Sequence, residues 1–97
     1  MDEQIEVYRT ERMETLTKLV ESVLKGIVGA PDQLSVRMAR AETKFVTCIV
    51  KTTEPKDMGR LIGRGGRTID AVRTIATAYA GDWFGVHVAL EEARGED

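Results

Sequence analysis

Gly59-Arg60-Leu61-Ile62-Gly63-Arg64-Gly65-Gly66-Arg67-Thr68-Ile69 decides how the whole chain is read. The stretch predicts the end of one short helix, a tight bend, and the start of another. Before the bend, Met58, Leu61 and Ile62 fall on one helical face. After it, Ile69, Val72, Ile75, Ala76 and Tyr79 do the same. Thr53 or Glu54 is placed to cap the first helix, with Pro55 in its opening turn and Asp57 suiting the dipole there. Gly81 is placed to stop the second. Met58, Leu61, Ile62 and Ile69 are expected in the core.

The bend carries the chemistry. Glycine reaches backbone angles closed to other residues and has no Cβ to block an approaching ligand. Gly63 and Gly66 bracket two residues, Arg64 and Gly65, whose N–H groups can face outward. With the N-terminus of the helix that starts near Arg67, they predict a concavity for an anion such as phosphate. Arg64 adds charge, and Arg60, Arg67 and Lys56 are close enough in sequence to line an adjacent groove. A plain connector between helices needs one glycine; three glycines among arginines exceed that need. Two other phosphate loops fail on spacing. Counted from Gly59, the second glycine of a Walker loop would fall on Arg64. A dinucleotide fingerprint needs a preceding strand and a third glycine where Thr68 stands.

Outward from the bend, charge is uneven. The chain has 97 residues, 14 basic and 16 acidic, with a formal net charge of −2. Residues 51–73 nevertheless hold six bases (Lys51, Lys56, Arg60, Arg64, Arg67 and Arg73) against three acids, while both ends are acidic. Local potential rather than net charge steers an anion to a site.

The remaining elements follow from periodicity. Met13, Leu16, Val20, Val23 or Leu24, and Ile27 recur at steps of three and four, giving a helix weakened by Gly26 and Gly29 and ended near Pro31-Asp32. Residues 1–12 are polar, with only Ile5, Val7 and Tyr8 to bury; they either extend that helix or fray. Leu34, Val36 and Met38 alternate with polar or small residues, and 45–50 is apolar and β-branched. The short polar break at 41–44 makes these two strands a hairpin. Phe84, Val86, Val88 and Leu90 form a third strand. The order α-β-β-α-α-β predicts an α+β domain, a three-stranded sheet with helices on one face. The domain spans 13–91, between the polar extension at 1–12 and a charged tail at 92–97.

With these residues in place, Ile62-Gly63-Arg64-Gly65-Gly66 resembles the Ile-Gly-x-x-Gly core of KH domains, whose GXXG loop clamps the backbone of single-stranded nucleic acid. The element order resembles the type II KH arrangement. The run from Pro55 through Asp57-Met58-Gly59-Arg60 and the bend to Arg73-Thr74 is similar to the small stand-alone bacterial proteins of the KhpA type. The resemblance covers about 13–91 and implies a cytoplasmic RNA-binding protein acting as RNA chaperone or regulator. It implies pairing as a homodimer or with a larger KhpB-type protein. It also assigns roles: Gly63, Arg64, Gly65 and Gly66 would hold phosphates, and Gly59, Arg60 and Ile62 would shape the groove. Arg67, Thr68 and Ile69 would open the helix behind it. Gly65 fills a variable loop position, and residues 1–12 have no counterpart in the pattern.

Several function classes drop out. No apolar run approaches the ~20 residues of a membrane-spanning helix. One cysteine and one histidine build neither an internal disulfide nor the usual zinc site. Cys48 reads as a small buried hydrophobe and His87 as an exposed strand residue. Lys56 and Arg73 read as helix-face charges. Asp57 and Asp70 flank the bend without forming an acid–base pair. An enzyme and a cofactor are therefore not expected. The alternative to RNA binding is a protein-interaction module on the same fold, in keeping with the acidic ends.

Overall fold

The computed structural model describes residues 2–42 and 44–91. Helix α1 (Asp2–Lys25) is followed by strands β1 (Leu34–Glu42) and β2 (Phe45–Thr52). Helices α2 (Pro55–Ile62) and α3 (Arg67–Ala80) come next, then strand β3 (Gly85–Glu91). The order is the α-β-β-α-α-β expected from the sequence. The tail at 92–97 and Thr43 of the polar break lie outside the described residues.

The sheet has the order β1-β2-β3 and is mixed. β1 pairs antiparallel with β2, Val36 facing Val50 and Met38 facing Cys48. β2 pairs parallel with β3, Val46 facing Val86 and Cys48 facing Val88. The parallel step needs a crossover, which α2 and α3 provide. β2 is buried on alternate residues (Val46, Cys48, Val50, Thr52), as a strand covered on one face must be. Val46, Cys48 and Val50 meet Met13, Leu16, Val20 and Leu24 of α1, Leu61 of α2, and Ile69, Val72 and Ala76 of α3 in one core.

The helix register corrects three expectations. Ile27 lies in the turn after α1 and is exposed, because the helix stops at Lys25. Ile75 sits at the edge of the α3 stripe and is exposed, while Ile69, Val72, Ala76 and Ala80 turn inward. Residues 2–12 are helical and continuous with α1, yet Ile5, Val7 and Tyr8 are exposed. Two arginines make the inward contacts there instead. Buried Arg9 donates from Nε to the Trp83 carbonyl at 3.1 Å. Arg12 donates to the Tyr79 carbonyl at 2.7 Å, at the C-terminal end of α3, where unpaired carbonyls attract a cation.

Candidate nucleic-acid interface

The site grows from α2. Glu54, not Thr53, is its N-cap: the side chain accepts from the Lys56 N–H at 3.1 Å, and Pro55 stands at the first position. Eight residues later the helix stops at Gly63, whose N–H closes it on the Gly59 carbonyl at 2.8 Å. Arg64–Gly66 then make one 3₁₀ turn before α3 starts at Arg67.

The turn's own bonds sort its N–H groups. Gly66 donates to the Gly63 carbonyl at 3.1 Å, and Arg67 donates to the Arg64 carbonyl. The Arg67 N–H therefore turns into the bend. Arg64 and Gly65 stand first in the turn, ahead of its i→i+3 ladder. No side chain caps them, and among the described residues their N–H groups have no partner. Both residues are exposed.

Gly63 has φ 78° and ψ 168°, a region that is essentially glycine's alone. A Cβ there would also run into Thr68, lying 2.7 Å from the Thr68 Cβ and from its backbone nitrogen. Thr68 thus packs behind the bend and holds its shape. Gly65, at φ 65° and ψ 20°, faces open space: a Cβ placed there would find no atom within 4 Å.

The predicted side chains divide. Arg64 and Arg67 are exposed, and neither has an ion pair among the described residues. Arg60 is half committed: its Nη1 donates to Asp57 Oδ1 at 3.0 Å, while its side chain remains 56 % exposed. Gly59 is bare and open. Ile62, expected in the core, is 39 % exposed beside it; the buried position went to Leu61. Arg73 donates to the Val88 carbonyl from Nε and Nη2 and pairs with Asp70, tying α3 to β3.

Asp57 is the residue that sequence reasoning missed. The sequence offers it as a charge on the helix dipole, but its side chain is 0 % exposed. Oδ1 accepts from the Gly29 N–H and Oδ2 from the Ala30 N–H, each at 2.9 Å. The Gly29 N–H does most to hold the carboxyl below the usual aspartate range; burial pushes the other way, and Ala30 and Arg60 add to the lowering. The only sequence signal is an acid in the first turn of a helix.

Comparison with known proteins places this geometry. The family model described as KhpA/KhpB, KH domain, matches residues 17–91. An RNA-binding protein KhpA of Streptococcus pneumoniae is 30% identical over 82% of this chain and 99% of its own length. One of Streptomyces coelicolor is 37% identical over 77% and 90%. One of Leifsonia xyli is 42% identical over 67% and 83%. None of these names is that of an enzyme. A bend of the GXXG form between two short helices, on an α-β-β-α-α-β fold matched over 17–91, makes this chain a member of the KhpA/KhpB KH-domain family.

Proposed function

We propose that this chain binds single-stranded RNA at the bend 63–66. One observation carries the reading: the Arg64 and Gly65 N–H groups stand at the open start of an exposed turn, without a partner among the described residues. They donate to phosphate oxygens, and the Arg64 and Arg67 guanidinium groups supply charge. Bare Gly59 and exposed Ile62 give an apolar shelf on which a base can lie. Few phosphates are neutralised, so binding is weak and salt-sensitive, with a log–log slope of about −0.7 per phosphate. Aromatic residues are 5% of the chain, which leaves stacking a minor contribution.

An RNA chaperone or regulator role in the cytoplasm belongs to the same reading. So does pairing with a second copy or with a larger KhpB-type protein. Exposed Ile75, beside Leu19 and Val23, is an apolar surface in favour of pairing. The protein-interaction alternative is favoured by a different feature, the exposed Ile5, Val7, Tyr8 and Trp83 at the far end of α3.

The test is the double change Arg64→Asp with Gly65→Asp. Position 65 is left-handed and open, and aspartate tolerates that conformation better than most residues. The expected result is loss of binding to a labelled single-stranded oligoribonucleotide with an unchanged circular dichroism spectrum. Unchanged RNA binding would overturn the assignment.

A further inference from the structure

We propose that Asp57 is a positioning residue for RNA binding: it fixes the Arg60 guanidinium against the Gly29–Ala30 turn so that the outer edge of the guanidinium meets a phosphate. The proposal rests on the RNA-binding reading above and adds to it a buried carboxylate and a turn remote in sequence.

A carboxylate taken wholly out of water is costly unless its oxygens are satisfied. Asp57 is satisfied by three donors, two from the backbone of the α1–β1 turn and one from Arg60. The first two are separated from it by 28 and 27 residues, so the contact joins distant parts of the chain. It fastens the first turn of α2 to the α1–β1 turn. Thr53 fastens the approach to that helix as well, donating its N–H to the Gln33 carbonyl at 3.1 Å and its hydroxyl to Gln33 Oε1 at 2.7 Å.

Gly29 gives the arrangement its shape. A Cβ on Gly29 would collide with Arg60 Nη1 and sit 3.4 Å from Cζ, so the guanidinium reaches bare backbone with its Nη1 end. A guanidinium is planar and its N–H groups leave in a fixed fork. Pinned at Nη1, it offers the remaining donors in one direction only. Among the described residues Nε and Nη2 have no partner, and the side chain is more than half exposed. Lys56 and Arg60 stand four apart on α2, on one face of the helix, and Arg64 follows in the bend beyond its end. An arginine already held in place loses less freedom when a phosphate arrives than a free one does.

Two readings of Arg60 compete. In one it only neutralises Asp57. In the other Asp57 aims it. A double-mutant cycle separates them, read as anisotropy of a fluorescein-labelled single-stranded oligoribonucleotide of mixed sequence across a salt series. Arg60→Gln is expected to weaken binding about tenfold, the worth of one charge-assisted hydrogen bond. It should also flatten the log–log salt slope by about 0.7, the share of one phosphate. Asp57→Asn is expected to weaken binding severalfold in the wild-type background and not at all in Arg60→Gln. Arg60→Lys, which cannot meet Asp57 and a phosphate with one flat fork, should fail to restore affinity.

Asp57→Asn disturbs a buried site, so Gly29→Ala serves beside it. That change crowds the guanidinium but keeps both backbone donors of the carboxylate, whose Oδ1 the new Cβ meets at an ordinary 3.5 Å. Its cost in affinity should likewise vanish in the Arg60→Gln background. Equal losses in both backgrounds, from either variant, would overturn the proposal, because Asp57 would then act through the fold at large. So would an Arg60→Gln variant with wild-type affinity and slope. If Arg64→Asp with Gly65→Asp abolishes binding while Arg60→Gln does not, this proposal alone fails. If the wild-type chain does not bind RNA, the underlying reading fails with it.

Discussion

Thr68 occupies the space that a side chain on Gly63 would need. A Cβ at position 63 would lie 2.7 Å from the Thr68 Cβ, on a residue whose φ is already 78°. Two independent obstacles therefore coincide, an overlap and a backbone conformation that L side chains avoid. Gly65, two residues on, meets only the second, since nothing stands within 4 Å. Gly63→Ala should accordingly destabilise the domain by about 2–4 kcal/mol, from strain and overpacking together. Gly65→Ala should cost only about 1–2 kcal/mol, the left-handed penalty alone. Chemical denaturation of both variants checks the ranking, and equal losses would mean that Thr68 moves aside freely.

Leu61 and Ile62 are neighbours with opposite fates. Leu61 is 0 % exposed in the core shared by α2, α3 and the sheet, whereas Ile62 faces water next to Gly59. Leu61→Ala should cost about 2–5 kcal/mol through lost burial and an unfilled cavity. Ile62→Ala should leave stability within about 0.5 kcal/mol, as exposed changes do. RNA affinity should respond in the reverse sense, falling for Ile62→Ala if that side chain supports a base. Thermal melts and RNA titrations on the two proteins decide it.

This pair also marks how far the sequence could be read. Periodicities of two and of three to four resolved the three strands, α2, α3 and the second half of α1, because a sheet covered on one face and helices packed on it each leave a regular apolar trace. Met13, Leu16 and Val20 were legible for that reason, as were Val46, Cys48 and Val50, and the three glycines announced the bend. Periodicity alone does not fix the edges or the end of a stripe: Ile62 and Ile75 sit at such edges, and Ile27 lies past the end of α1. A polar residue's partner is legible still less. Asp57 bonds to a turn 28 residues away, and only the folded chain brings the two together.

Asp57 predicts an acid limit. Its carboxyl is held below the ordinary aspartate value, about 4 in an unfolded chain. A group of this kind contributes stability that is full above the unfolded value and is lost as pH falls through the lower folded one. The domain should therefore weaken progressively below about pH 4, as protons bind the unfolded chain first. Asp57→Asn should be less stable than wild type at neutral pH and lose less on acidification. Urea midpoints measured at neutral pH and below pH 4 check this; parallel pH curves for the two proteins would exclude Asp57 as a source of the slope.

Arg9 and Arg12 predict that the first half of α1 belongs to the folded unit. Arg9 bridges Glu6 at 2.7 Å and the Trp83 carbonyl at 3.1 Å. Arg12 lies over the Tyr79 ring, 4.5 Å from its centroid, while donating to the Tyr79 carbonyl. Tyr8 meets Trp83 edge to face, with ring centroids 4.7 Å apart. Arg9→Ala leaves a part-buried carbonyl without its donor, which should cost about 1–3 kcal/mol. Trp83 is the sole tryptophan and stands at this contact, so its fluorescence reports it directly. The Arg9→Ala protein should show an altered emission maximum before global unfolding begins. RNA affinity should stay at the wild-type level, because α3 separates this contact from the bend by 14 residues. An emission spectrum and melting curve unchanged from wild type would mean that the Arg9 contact adds nothing to the fold.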